Sequence, residues 1–222
     1  FAINSNLCPT KPKIFERLIE KSWIVPNLEI YTSMEATKHQ AEYIRDGLDY
    51  DYWKENIHTV LKKGNIKKMH MMMTINSLCL TTITEFMEEM LDLRDEYGQR
   101  APTMSLNILR FPSFQSAAIL PENIKTFYKD KLQRWFDSER AQKNLHDGEK
   151  ASTQRLIDYL DIVKTPHKNT AETPKLYHDF KAFFEQYDVR RGKNFKETFK
   201  GPIADWYETL QAEVPSEQDI IN

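Results

Sequence analysis

A serine and an arginine twelve residues apart are the side chains best suited by type to hold a charged ligand. Ser33 closes the run Leu28-Glu29-Ile30-Tyr31-Thr32, whose β-formers read as a strand. Arg45 follows in Glu42-Tyr43-Ile44-Arg45. A hydroxyl and a guanidinium at one mouth of a sheet can hold a carboxylate, with arginine supplying the bidentate half. Asn4 and Asn6 end the preceding extended run and offer amides to a sugar hydroxyl or an amino group. Spacing alone favours a plainer alternative, a surface arginine and a helix-capping serine. A second cluster, Asp188-Val189-Arg190-Arg191-Gly192-Lys193-Asn194-Phe195, follows an aromatic-rich stretch. It reads first as a helix end, with two arginines complementing the dipole and Gly192 as the left-handed cap. Its functional alternative is that Asp188 and the arginines close over the strand mouths.

Other familiar chemistry is missing. Six glycines are too few and too scattered for a phosphate-cradling loop. There is no paired-cysteine zinc pattern and no nucleophile elbow. His39, His58, His70, His146, His167 and His178 show no metal-binding spacing. The run Met71-Met72-Met73 lies in an extended segment, where neighbours point to opposite faces and cannot converge on a soft metal. It reads as core filling.

These residues need elements to position them. Phe1–Asn6, Leu28–Thr32, Lys68–Ile75 and Met104–Leu109 read as strands. Between them, a helix carrying Ile14, Phe15, Leu18, Ile19 and Trp23 is expected after Pro12. A loop and a short helical piece span 33–45. Helices follow over 51–63, ended by Gly64, and over 82–97, ended by Gly98. Strand and helix alternate, which predicts a parallel sheet with right-handed helical crossovers. Ligands of such folds bind at the C-terminal ends of the strands, where Asn4-Ser5-Asn6, Thr32-Ser33, Thr74-Ile75-Asn76 and the stretch after Arg110 stand. After residue 112 three helical stretches are expected. Their apolar faces are Ile124, Phe127, Tyr128, Leu132 and Trp135; Leu156, Ile157 and Leu160; and Leu176, Phe180, Phe183, Phe184 and Tyr187. Lys164–Pro174 reads as a polar linker and 213–222 as a frayed tail.

Composition bounds the function classes. Net charge is −2 over 222 residues, which gives no electrostatic case for nucleic acid or an anionic membrane. No apolar run approaches the roughly 18–20 residues of a membrane span. Two cysteines, Cys8 and Cys79, exclude a disulfide framework and point to a reducing, cytoplasmic setting. The chain starts at Phe1 on a raw edge strand, so the expectation is a fragment whose first strands lie upstream.

The ordered set Ile3-Asn4-Ser5-Asn6-Leu7, Glu29-Ile30-Tyr31-Thr32-Ser33-Met34-Glu35-Ala36 and Ala41-Glu42-Tyr43-Ile44-Arg45-Asp46-Gly47-Leu48, with Asp188–Phe195 and Thr198-Phe199, resembles the radical S-adenosylmethionine enzymes. The resemblance is narrowest to the subgroup with a short "twitch" C-terminal extension, found in phage and marine bacterial sequences. It reaches to about residue 210.

The resemblance implies an α/β fold: residues 1–112 as the last parallel βα units of a partial (β/α)6 TIM-like barrel, and 113–212 as a mainly helical twitch-type extension. It implies an enzyme that reductively cleaves S-adenosylmethionine at a [4Fe-4S] cluster and makes a 5′-deoxyadenosyl radical. Ser33 and Arg45 would contact the cofactor's carboxylate, and Asn4 or Asn6 its ribose. Flavodoxin or ferredoxin would supply electrons to act on an unidentified small molecule or peptide. The cluster's three-cysteine loop is absent from this sequence, as is the Gly-Gly-Glu segment that grips the amino group, so the chain alone is expected to be inactive. The family's Ser-Ile-Asp-Gly is here Ser33-Met34-Glu35-Ala36, which loses a loop glycine. No cysteine follows Cys79, so no auxiliary cluster is expected. The competing readings are a non-catalytic α/β interaction or phage accessory protein without a cluster, and an unrelated α/β transferase using Arg45 for an anionic substrate.

Overall fold

The computed structural model describes residues 1–162 and 172–211. The expected linker falls mostly, and the expected tail wholly, outside them. The fold is α/β around a four-stranded parallel sheet. Its strands are β1 (Ala2–Asn4), β2 (Glu29–Ser33), β3 (Lys68–Ile75) and β4 (Thr103–Ile108). They lie side by side in chain order. Helices fill the crossovers: α1 (Pro12–Ser22), then α2 (Lys38–Ile44) and α3 (Tyr50–Lys63), then α4 (Ile83–Tyr97). After the sheet come α5 (Glu122–Phe136), α6 (Glu139–Asn144), α7 (Asp147–Ile162), α8 (Glu172–Arg191), α9 (Phe195–Thr198) and α10 (Pro202–Thr209).

Strand periodicity sorts the sheet into two unlike faces. Ile30, Thr32, Met69, Met71, Met73, Ile75, Met104 and Leu106 share one face and are buried. The crossover helices cover it: Trp53 of α3 reaches Thr32 Oγ1 at 3.5 Å and packs on Phe86 of α4. Strands taken in one direction, joined by right-handed crossovers, keep those helices on one side. The methionine run therefore divides as alternation requires, with Met71 and Met73 in the core and Met72 on the other face.

The last strand's outer edge is closed by α7. The Met104 N–H donates to Glu149 Oε1 at 2.8 Å, and Arg155 Nη2 donates to Leu106 O at 2.8 Å. Buried side chains from both halves of the chain form one apolar core.

Several expected helix faces shift. In α1 the buried stripe is Phe15 and Ser22, with Leu18 and Ile19 half-buried; Ile14 and Trp23 lie on its flanks and are exposed. Trp23 instead donates its indole N–H to Lys63 O at the surface. In α5 the buried positions are Ile124, Lys125, Tyr128, Leu132 and Phe136, so Phe127 turns outward. In α8, Phe180 and Phe184 are buried and Phe183 is partly exposed. The stretch 172–174, expected as linker, is the first turn of α8; Pro174 is tolerated where no helical N–H bond is due. Gly64 ends α3 at a negative φ; it is required because a Cβ there would lie 2.8 Å from Val60 O.

Candidate functional site

The second face of the sheet is polar and half-exposed, which is unusual for parallel strands. Register lines its side chains up in rows. One row runs Asn4, Tyr31, His70, Thr103 across all four strands. The next, toward the C-terminal ends, is Ser33, Met72, Ser105. Thr74 and Asn107 follow, both exposed. Asn4 and Ser33, picked out from the sequence, thus share this face.

Its middle is tied together. The His70 ring stacks on Tyr31 with centroids 4.4 Å apart. His70 Nδ1 lies 2.9 Å from Thr103 Oγ1, and Nε2 lies 3.4 Å from Glu29 Oε2. Tyr31 donates its hydroxyl to Glu29 at 3.3 Å, and Lys67 pairs with the same carboxylate. The Lys67 ammonium, with His70, holds the Glu29 carboxyl below the ordinary range. Ser33 Oγ has no hydrogen-bond partner among the described residues, so its hydroxyl is available at the strand mouth.

Arg45 stands differently. It ends α2, and its Nη2 donates to Glu35 Oε2 at 2.5 Å. Glu35 is buried just past β2. Burial pushes its carboxyl above the usual range against the pull of Arg45 and of a backbone bond at Thr74. Arg45 Nε is buried without a hydrogen-bond partner among the described residues. The guanidinium therefore already holds a carboxylate, one supplied by the chain. Asn6 is exposed, and its Oδ1 accepts from Cys8 N at 3.1 Å, which turns it to its own backbone.

The second cluster forms the end of α8. Lys193 N donates to Asp188 O across Gly192, whose φ is +60°, closing the helix as a left-handed cap. Asp188 accepts from the Tyr43 hydroxyl at 2.7 Å and from Phe195 N at 2.8 Å. Arg191 and Lys193 pair with Asp46. These bonds fasten α8 to α2.

Sequence reasoning places Thr74 at a strand end but misses Tyr31, His70, Ser105 and Asn107 as members of this face. A signal existed: every second residue of β2, β3 and β4 is polar or half-polar, whereas strands covered on both faces read as continuous apolar runs.

No family model matches the chain, and neither a curated protein nor a solved structure does. Among the described residues no group of three or more His, Cys, Asp or Glu side chains is placed to hold a metal ion. No helix among them is long and apolar enough to cross a membrane.

Proposed function

We propose that the chain is the part of a radical S-adenosylmethionine enzyme that holds the amino-acid and ribose portions of the cofactor. The sheet is then an arc of a partial (β/α)6 barrel, its wet face lining the interior, and α5–α10 form the extension. One observation carries this reading: four parallel strands in unreversed order with one polar, half-exposed face. A doubly wound sheet reverses its strand order at a switch point, whereas an arc of a barrel keeps chain order and, being only an arc, leaves its inner face uncovered.

Ser33 offers its hydroxyl to the cofactor carboxylate, and Asn4 its amide to the ribose. Arg45 serves the carboxylate if Glu35 yields it. Glu35 is suited to yield, because burial already makes it the weaker acid. The residues present do not fit a [4Fe-4S] cluster: Cys79 is buried, and Cys8 turns its Sγ to Asp49 O at 3.3 Å. No step of the reaction is therefore assigned to this chain, and the electron donor would serve the cluster elsewhere.

A second reading, a non-catalytic α/β interaction protein, draws on the closed Arg45–Glu35 pair. Saturation-transfer NMR with S-adenosylhomocysteine separates the two. The cofactor reading expects transfer to ribose and amino-acid protons, reduced in Ser33→Ala and strengthened in Glu35→Gln, which releases Arg45. No transfer to wild type or to Glu35→Gln would overturn it in favour of the second reading.

A further inference from the structure

The N-terminal ends of β2 and β3, opposite the strand mouth that carries Ser33, belong to a surface that nothing above uses. Three hydrogen bonds assemble it. The Trp23 indole N–H donates to Lys63 O at 3.0 Å, the Asn65 N–H to Ser22 Oγ at 2.9 Å, and the Lys67 N–H to Leu28 O at 2.8 Å. The end of α1, the end of α3 and the starts of β2 and β3 therefore meet at one end of the molecule.

Two consecutive large apolar side chains stand out from this end, Trp23 at 67% exposure and Ile24 at 70%. The one polar group of the Trp23 side chain is its indole N–H, and Lys63 O already accepts it. What the ring offers to solvent is therefore apolar. Lys21, Lys62, Lys63 and Lys67 flank the pair, all exposed. Residues 61–68 hold four lysines and no acid. Lys62 pairs with Glu96 at 3.5 Å and Lys67 with Glu29 at 3.1 Å. Among the described residues no carboxylate lies within ion-pair reach of the Lys21 or Lys63 ammonium. Acids gather elsewhere, as on α4, where Glu88, Asp92 and Asp95 surround Arg140. The near-zero net charge thus hides a local separation of sign. Lysines at helix C-termini also complement the dipole. That role does not account for a tryptophan and an isoleucine held in water among them.

We propose that this end of the molecule attaches to an anionic lipid bilayer, with Trp23 and Ile24 entering the interfacial layer and Lys21 and Lys63 on lipid phosphates. Tryptophan is enriched at the boundary between headgroups and hydrocarbon. Lysine stems lie along apolar surface while their ammonium groups stay with the headgroups. Each lysine brought to an anionic surface is worth about fivefold in affinity. Attachment here turns the strand mouths away from the bilayer. The proposal stands independently of the reading given to the open sheet face.

The test is co-sedimentation of the full chain with two kinds of vesicle, phosphatidylcholine alone and phosphatidylcholine mixed with phosphatidylglycerol. The chain is expected to sediment with the mixed vesicles, to be released by high salt, and to bind the neutral ones far more weakly. Ile24→Ser is expected to weaken binding about tenfold, the value of one apolar side chain taken out of water. The double variant Lys21→Ala, Lys63→Ala is expected to weaken it about 25-fold, fivefold for each charge. Phe111→Ser is the comparison: Phe111 is 84% exposed, but it follows β4 at the opposite end of the sheet, so binding is expected to be unchanged. All these side chains are exposed, so wild-type melting temperatures are expected and establish that the variants fold. Four results would each overturn the proposal: no sedimentation with the mixed vesicles, equal binding to both kinds, equal losses in Ile24→Ser and Phe111→Ser, or tighter binding to a single-stranded oligonucleotide than to the mixed vesicles.

Discussion

The Glu149 carboxylate accepts from both terminal nitrogens of Arg94, at 2.8 and 2.9 Å, and from the N–H groups of Met104 and His146, each at 2.8 Å. Burial alone would raise this carboxyl, but Arg94 and the two backbone donors outweigh it and hold the group below the ordinary range. A depressed folded-state value stabilises the fold above the unfolded pKa of about 4.3, and that stability is lost as pH falls through the folded value. Glu149→Gln is expected to cost about 3 kcal/mol at neutral pH, the low end for breaking a buried pair. The gap to wild type should narrow below about pH 4. Urea melts at pH 7 and pH 3 check this; a gap independent of pH would mean that Glu149 is not ionised in the fold. Sequence spacing could not show this pair, since Arg94 and Glu149 meet only through tertiary packing. The same limit governs Arg45. Its type and position marked it as a carboxylate holder, and it holds one, yet nothing in the spacing said that Glu35 would turn inward to meet it.

At the scale of elements, local chemistry was legible wherever one rule decided the outcome. The alternation of Met69, Met71, Met73 and Ile75 defined β3, and Gly98 and Gly192 marked helix ends that the fold places at φ of +57° and +60°. Faces were less legible, because a helix shows which residues are apolar but not how wide a stripe its neighbours will cover. Ile14, Trp23 and Phe127 fall outside that stripe. The wet face of the sheet was missed for a related reason: parallel strands are ordinarily covered twice. The junction of α8 with α2 gives this scale its test. Asp188 satisfies the buried Tyr43 hydroxyl and the N–H that opens α9, whereas the neighbouring Arg191–Asp46 pair is solvent-facing. Asp188→Ala is expected to destabilise by about 2–3 kcal/mol, as for hydrogen bonds to a charged group. Arg191→Ala should cost less than about 1 kcal/mol. Equal losses in denaturant melts would show that charge at the helix end, and not satisfaction of Tyr43, fastens α8.

Across the whole molecule the sheet is asymmetric, and its stability should follow. β4 has its outer edge held by α7, and β3 is the central strand, paired with β2 over Lys68–Met72 and with β4 over His70–Ile75. β1 is three residues long and pairs only with β2; Ala2 and Asn4 are exposed, and no other strand among the described residues adjoins it. Amides open with free energies set by local burial and pairing, so one molecule spans a wide range of protection. Hydrogen exchange read by mass spectrometry should place β3 among the slowest segments and β1 among the fastest, with β2 between them. The cofactor reading adds a further expectation. A ligand held by Asn4 and Ser33 bridges β1 and β2, so saturating S-adenosylhomocysteine should slow exchange at β1 more than at β4. Protection of β1 equal to that of β3 without ligand would mean that something else covers its edge. An unpaired strand edge is a template for a second chain, so dilution would then restore fast exchange if the cover is another copy of this protein.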